Sequence, residues 1–200
     1  AKKILDIGTG SGILALMMAQ KSEAEITAIE IEENACKQAQ INFKNSKWKN
    51  RIHLKNTSFQ DFSAECTDKF DIIISNPPYF KNSLKPAKSG RAIARHTDSL
   101  NIDELFNCAA RLMHFNSTLN IIFPSVHKEQ LIQEASKNNM YLDHICEIQP
   151  NAEKATNRVI MSFSLTKKKL KHEKIVIELD RRNHYTNEYI QLTKDFYLKF

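Results

Sequence analysis

Glycine is scarce in this chain, with four in 200 residues, so each placement carries information. Cysteine is equally scarce. Cys36, Cys66, Cys108 and Cys146 stand far apart with neither paired nor metal-ligand spacing. That argues against a disulfide framework or a metal site and for the reduced thiols of a cytoplasmic protein. No stretch approaches the ~20 apolar residues that span a bilayer, so no membrane partner is expected. No secretory leader is expected either, since the chain opens almost at once on a strand. What is present is a 42% hydrophobic content, enough for one domain with a full core. The net charge of +6 and pI near 9.1 point toward a polyanionic partner.

Three of the four glycines fall in one loop, within Ile4-Leu5-Asp6-Ile7-Gly8-Thr9-Gly10-Ser11-Gly12-Ile13-Leu14. Glycine is needed where the backbone takes positive φ or where something must approach it closely. Here the loop joins an apolar run to the helical pattern Ile13-Leu14-Leu16-Met17, the context of a nucleotide-binding α/β unit. Its G-x-G-x-G spacing is neither the dinucleotide fingerprint nor a phosphate-binding P-loop, and alone it is equally a tight turn. Residues 25–30 read as a second strand ending in Glu30, about 20 residues past the loop, where a carboxylate typically holds ribose hydroxyls. With Glu32 and Glu33 following, the alternative for Glu30 is a solvated strand end; the glycine loop favours the ribose contact.

Asn76-Pro77-Pro78-Tyr79 directly follows the β-branched run Phe70-Asp71-Ile72-Ile73-Ile74-Ser75, which reads as a buried strand. Two adjacent prolines cannot continue a ladder, so the chain leaves the sheet there. Pro77 also holds Asn76 out of the helical region. The product is a stiff loop carrying an amide, an exposed carbonyl and an aromatic ring, groups that suit a planar substrate bearing an NH2.

Coarse patterning places strands near 3–7, 25–30, 51–56, 70–75 and 118–124, with helices near 12–21, 32–45, 101–114 and 126–138. Ser125 reads as the N-cap of the last of these helices. Runs 141–149 and 157–166 read as an antiparallel hairpin at the sheet edge, 172–179 as one more strand and 186–196 as a short helix. Trp48, Tyr185, Tyr189, Phe196 and Tyr197 read as packing residues. Such alternation argues a mostly parallel sheet with helices on both faces. Ligands then bind beyond the carboxyl ends of the strands, where the glycine loop, Glu30, Ser58 and Asn76 all converge.

Asp6-Ile7-Gly8-Thr9-Gly10-Ser11-Gly12 together with Asn76-Pro77-Pro78-Tyr79 resembles the class I methyltransferases that use S-adenosylmethionine, specifically those acting on amino nitrogens. Ala94-Arg95-His96, Asn157-Arg158-Val159 and the closing Tyr185 to Leu198 resemble the bacterial tRNA(Val) adenine-N6 methyltransferases. The resemblance implies a Rossmann-like fold with a mostly parallel seven-stranded sheet and an antiparallel edge hairpin. It also implies a domain over 1–200, with 1–166 as core and 167–200 as a family-specific extension. Asp6, Gly8, Thr9, Gly10, Gly12, Glu30, Ile31, Ser58, Phe59 and Asn76 would then bind S-adenosylmethionine. The family carries a segment ahead of the first strand that this chain does not show, and many relatives hold the cofactor adenine with an Asp after the third strand. Ser58 and the Phe59 amide stand there instead, with Asp61 as the alternative.

An adenine amino group is a poor nucleophile because its lone pair is delocalised into the ring. Acceptance of its two hydrogens by the Asn76 side chain and the Pro77 carbonyl would draw the nitrogen toward tetrahedral geometry and favour the charge that develops. Pro78 stiffens this loop and Tyr79 would stack on the base, worth ~1–3 kcal/mol. Lys81, Lys85, Lys88, Arg91 and Arg95 follow almost without acids, and Lys154, Arg158 and Lys167-Lys168-Lys169-Leu170-Lys171 mark the hairpin and its exit. Such residues suit phosphate contacts, and a tRNA partner is expected for a monomeric enzyme. His96 reads as structural. Two other functions fit the same loop: methylation of a glutamine side chain in release factors, and a non-catalytic RNA-binding module.

Overall fold

Short β-branched runs pair in parallel, which settles the first half of the chain. The computed structural model describes residues 1–77 and 101–198. Strands β1 (Lys3–Ile7), β2 (Glu25–Glu30), β3 (Ile52–Asn56), β4 (Phe70–Ser75) and β5 (Met113–Pro124) run parallel, while β6 (Tyr141–Asn151) and β7 (Arg158–Ser164) form an antiparallel pair. The described residues form an eight-stranded sheet in the order β3-β2-β1-β4-β5-β7-β6-β8, one strand more than the seven expected. The additional strand β8 (Lys171–Glu178) pairs parallel to β6, so the hairpin is not at the edge. Reversal of strand order between β1 and β4 creates the switch point where α/β sheets bind ligands.

Helices cover both faces. Against α1 (Ile13–Lys21) and α2 (Glu33–Lys44) lies a cluster of Ile4, Ala15, Ala19, Ile26, Ala28, Ala39, Phe43 and Ile52. The larger cluster on the other face joins Leu5, Ile7, Ile73, Leu119, Ile121 and Phe163 to α3 (Phe59–Glu65), α4 (Ile102–Leu112) and α5 (Lys128–Lys137). Alternate residues of one strand thus feed two cores, the period-two rule at work on a sheet covered twice. Burial of each large aliphatic side chain contributes about 2 kcal/mol. Phe106 and Phe163 meet edge-to-face at 5.0 Å across the sheet–helix boundary. Among the described residues, no helix is long and apolar enough to cross a membrane.

Local chemistry moves several expected boundaries. Ser58 caps α3, a helix of only seven residues, too short for hydrophobic periodicity to mark. Asn101 and Glu104 form a reciprocal capping box at the start of α4, typically worth about 1 kcal/mol. That helix ends at Leu112 and β5 begins at once at Met113, not at 118. Ser125 does not cap α5: it opens a 3-10 turn, Ser125–His127, and its hydroxyl donates to the Thr156 carbonyl at 2.8 Å. The last helix, α6, spans Asn187–Thr193. Its aromatic neighbours Tyr185, Tyr189 and Phe196 are only half-buried and Tyr197 is exposed, so they cover rather than fill a core. Asp195 fastens this tail to Lys21 at the end of α1, where Lys21 also sits 5.2 Å from the Phe196 ring centroid.

Candidate active site

Three left-handed glycines shape the loop after β1: Gly8 at φ 66°, Gly10 at φ 58° and Gly12 at φ 88°. They serve different ends. A Cβ on Gly8 or Gly10 would meet nothing within 4 Å, whereas one on Gly12 would collide with the Phe43 ring at 2.3 Å. Gly12 therefore lets α2 close on the start of α1, while Gly8 and Gly10 present bare backbone to an open side. Thr9 N–H donates to the Ile29 carbonyl at 3.0 Å and Asn42 Nδ2 to the Ser11 carbonyl at 2.8 Å, which hold the loop against β2 and α2.

Two carboxylates stand beneath and beside this loop. Glu30 Oε2 accepts the Gly10 N–H at 2.8 Å and Oε1 accepts the Glu32 N–H at 2.9 Å, so the strand-end charge clamps the loop. Asn56 Nδ2 donates to the Glu30 carbonyl at 2.8 Å, and exposed Ile31 follows on the open side. Asp6 is fully buried under the loop, with Oδ2 accepting the Thr9 hydroxyl at 2.6 Å and Oδ1 without a hydrogen-bond partner among the described residues. Burial pushes its carboxyl up to about 6, partly offset by the Thr9 hydroxyl and the Ala15 N–H of the α1 amino end and reinforced by Glu30. Asp6 therefore supplies charge from below rather than a contact from the open side.

β4 delivers the second half of the site. Ile7 pairs with both Ile29 and Ser75, so the exits of β1, β2 and β4 lie level. The buried Ser75 hydroxyl donates to the Ile7 carbonyl at 3.0 Å and ties the start of the Asn76 loop to the glycine loop. Asn76 is exposed and Pro77 buried, as a loop fixed at its root requires. Ser75, Asn42 and Phe43 were missed by sequence reasoning. A hydroxyl at the end of an otherwise apolar strand was the available sign for Ser75; nothing local marked the other two.

Ser58 lies at the same edge, after β3, but its hydroxyl is engaged. It accepts the Asp61 N–H at 3.0 Å and donates to Asp61 Oδ2 at 2.7 Å, while the Phe59 side chain is buried. Ser58 and Asp61 are thus partners in one helix cap. Arg158 begins β7 opposite Pro124, on the carboxyl edge of the sheet, whereas Lys167–Lys171 lead into β8 at the opposite edge. The lysine run accordingly does not extend the hairpin tip toward the site. Pro78, Tyr79, Lys81, Lys85, Lys88, Arg91, Arg95 and His96 lie outside the described residues.

The chemistry of this edge is selective. Two nearly buried carboxylates repel a phosphate at the loop and favour a ligand carrying positive charge. Open glycine backbone admits a ligand closely, and Asn76 offers an amide beside it. Among the described residues no group of acidic, histidine and cysteine side chains could hold a metal.

The methyltransferase small domain family matches residues 1–137. The chain is 41% identical to a tRNA1(Val) (adenine(37)-N6)-methyltransferase from Phocaeicola vulgatus, covering 99% of this chain and 83% of that protein. A protein of the same description from Trichodesmium erythraeum is 38% identical, over 100% of this chain and 84% of its own length. In fold, the chain resembles the crystal structure of a predicted O-methyltransferase from Agrobacterium tumefaciens with a TM-score of 0.75 at 17% identity, covering 96% of this chain and 88% of that one.

Proposed function

The chain belongs to the methyltransferase small domain family, and on that premise we propose that it methylates the N6 amino group of an adenine in tRNA. Adenine 37 of tRNA1(Val), the position in its relatives' names, is the acceptor this reading assigns. The observation that carries it is one sheet edge holding open left-handed glycines, two buried carboxylates and an exposed Asn76 just past the end of the adjacent strand β4.

That donor set fits S-adenosylmethionine, which when bound supplies an electrophilic methyl on a positively charged sulfur. Gly8, Thr9, Gly10 and Gly12 line the backbone cradle, with Glu30 and Ile31 at its β2 side and the Phe59 N–H at the start of α3. Asp6 favours positive charge above it through space. Asn76 and the Pro77 carbonyl accept the two amino hydrogens of adenine and direct its lone pair. Pro78 and Tyr79 complete that loop, with Tyr79 stacking on the base. Holding the reacting atoms in line supplies much of the remaining acceleration. Lys81, Lys85, Lys88, Arg91, Arg95 and Arg158 contact tRNA phosphates, and the enzyme acts as a cytoplasmic monomer.

The test is incubation with radiolabelled S-adenosylmethionine and, in parallel, tRNA from a methylation-deficient strain and release-factor protein. Label recovered as N6-methyladenosine is expected. Label in the protein would move the activity to glutamine methylation, and binding of tRNA without transfer would leave only a binding module.

A further inference from the structure

The turn after β8 holds two arginines that have no ion-pair partner among the described residues, Arg181 and Arg182, both exposed. Its two acids are engaged by bonds within the turn. Glu178 Oε1 accepts the Asn183 N–H at 2.9 Å, and Asp180 Oδ1 lies 2.5 Å from His184 Nδ1. The backbone is closed by the Leu179 N–H to the His184 carbonyl at 2.8 Å and by the His184 N–H to the Arg181 carbonyl at 3.1 Å. Asn183 takes the left-handed φ of 64°, and the Tyr185 hydroxyl donates to its side chain at 3.2 Å. A small turn with this many internal bonds is ordered in advance, and it displays two guanidinium groups free of ion pairs among the described residues, beside an Asp180 carboxylate already bonded to His184.

Its position matters as much as its charge. β8 pairs parallel to β6, with Asn151 opposite Glu178, so the turn emerges on the carboxyl edge, the edge that carries Asn76 and the glycine loop. From β4 the order is β5, β7, β6, β8. Four spacings of ~4.8 Å place the turn roughly 19 Å from the Asn76 exit. Exposed Lys154 lies between them, in the loop joining β6 to β7, a loop held by Gln149 Nε2 donating to the Ala152 carbonyl at 3.1 Å.

We propose that Arg181 and Arg182 are phosphate-binding residues that grip the tRNA backbone some nucleotides from the adenine being methylated. This rests on the function proposed above. Guanidinium forks match phosphate oxygens, and a preformed display limits the ordering cost of binding. Such contacts orient the RNA along the edge without reading bases.

The decisive measurement is tRNA affinity of the full chain between about 50 and 200 mM salt. Arg181→Gln with Arg182→Gln should lower the log–log salt slope by about 1.5, as two lost phosphate contacts predict, and weaken Kd about tenfold near physiological salt. KM for tRNA should rise with kcat and S-adenosylmethionine affinity unchanged, and a double Arg→Lys variant should restore the slope. Lys167→Gln with Lys169→Gln, at the opposite edge, should leave the slope alone. An unchanged slope in the arginine variant, or an equal fall in the lysine variant, overturns the proposal while the parent still methylates tRNA. A parent that neither binds nor methylates tRNA overturns the underlying function and this proposal with it.

Discussion

Asp6 and Asp71 sit on adjacent strands at opposite ends of the sheet and have opposite surroundings. Asp71, at the amino end of β4, accepts the backbone N–H groups of Lys2 and Lys3 and lies 2.9 Å from His114 Nε2. Those bonds hold its carboxyl down at about 2. Asp6, at the carboxyl end of β1, bonds the Thr9 hydroxyl, has one oxygen without a partner among the described residues, and has its carboxyl pushed up to about 6. Asp71 ties chain segments together with both oxygens bonded, whereas Asp6, left short in a buried place, keeps its field for a neighbouring ligand. At these two positions the site end is thus under-satisfied and the opposite end well satisfied.

The largest break in that contrast comes from Asn76→Ala. Loss of the acceptor should cut methyl transfer by about 100-fold or more while S-adenosylmethionine affinity stays within a few-fold. Single-turnover transfer beside an equilibrium cofactor titration checks it. Activity at a tenth or more of the parent would remove Asn76 from the chemistry.

The two aspartates can be separated by pH. Asp6 has a folded pKa above its ordinary 3.8, so its stabilising contribution is complete below that value and is lost as pH rises through about 6. The loss amounts to about 3 kcal/mol. Asp71 is depressed, so its contribution is present above 3.8 and disappears as pH falls toward 2. At a third exposed, that contribution is about 1 kcal/mol after solvent screening. Denaturant titrations should show Asp6→Asn removing the decline between pH 4 and 6, and Asp71→Asn removing the one at lower pH. A positively charged cofactor should also bind more weakly below pH 6 in the parent and not in Asp6→Asn. A parent Kd flat from pH 5 to 8 would mean that Asp6 is merely structural.

Within the glycine loop the contrast sharpens again. Gly12→Ala drives a Cβ into Phe43 and strains a left-handed residue, so stability should fall by about 2–3 kcal/mol. Gly10→Ala faces open space, so it should cost only about 1 kcal/mol while weakening the cofactor severely. Thermal unfolding and cofactor titration of both variants test the division. Equal stability losses would erase it.

Much of this is legible in the amino-acid sequence. Apolar runs rich in β-branched residues mark β1, β2 and β4 to within a residue, with Gly8 and Pro77 ending two of them, because hydrophobic period and chain-breaking residues act locally. The two loops at the site followed for the same reason. The eighth strand's partner, the ownership of Ser58 by Asp61 and the place of the lysine run were not legible. Each depends on pairing between distant segments, and no local pattern encodes that β8 lies beside β6 and not beside β7. The division of labour among Gly8, Gly10 and Gly12 was equally hidden, since it turns on where Phe43 of another helix comes to rest.

Ser75 gives the smallest effect and the most direct test of how the two halves of the site are joined. Its buried hydroxyl donates across to the Ile7 carbonyl, so Ser75→Ala removes one neutral hydrogen bond between the exits of β4 and β1. Stability should fall by about 1 kcal/mol. If that bond only adds to the sheet, transfer should follow the folded fraction. If it fixes the Asn76 loop against the cofactor loop, kcat should fall several-fold under conditions where the variant is fully folded, with KM for S-adenosylmethionine nearly constant, because misplacing a reacting group costs rate rather than binding. Ser75→Thr keeps the donor and should recover kcat. Loss of kcat in both variants would point instead to packing around a buried position next to Ile7 and Pro77.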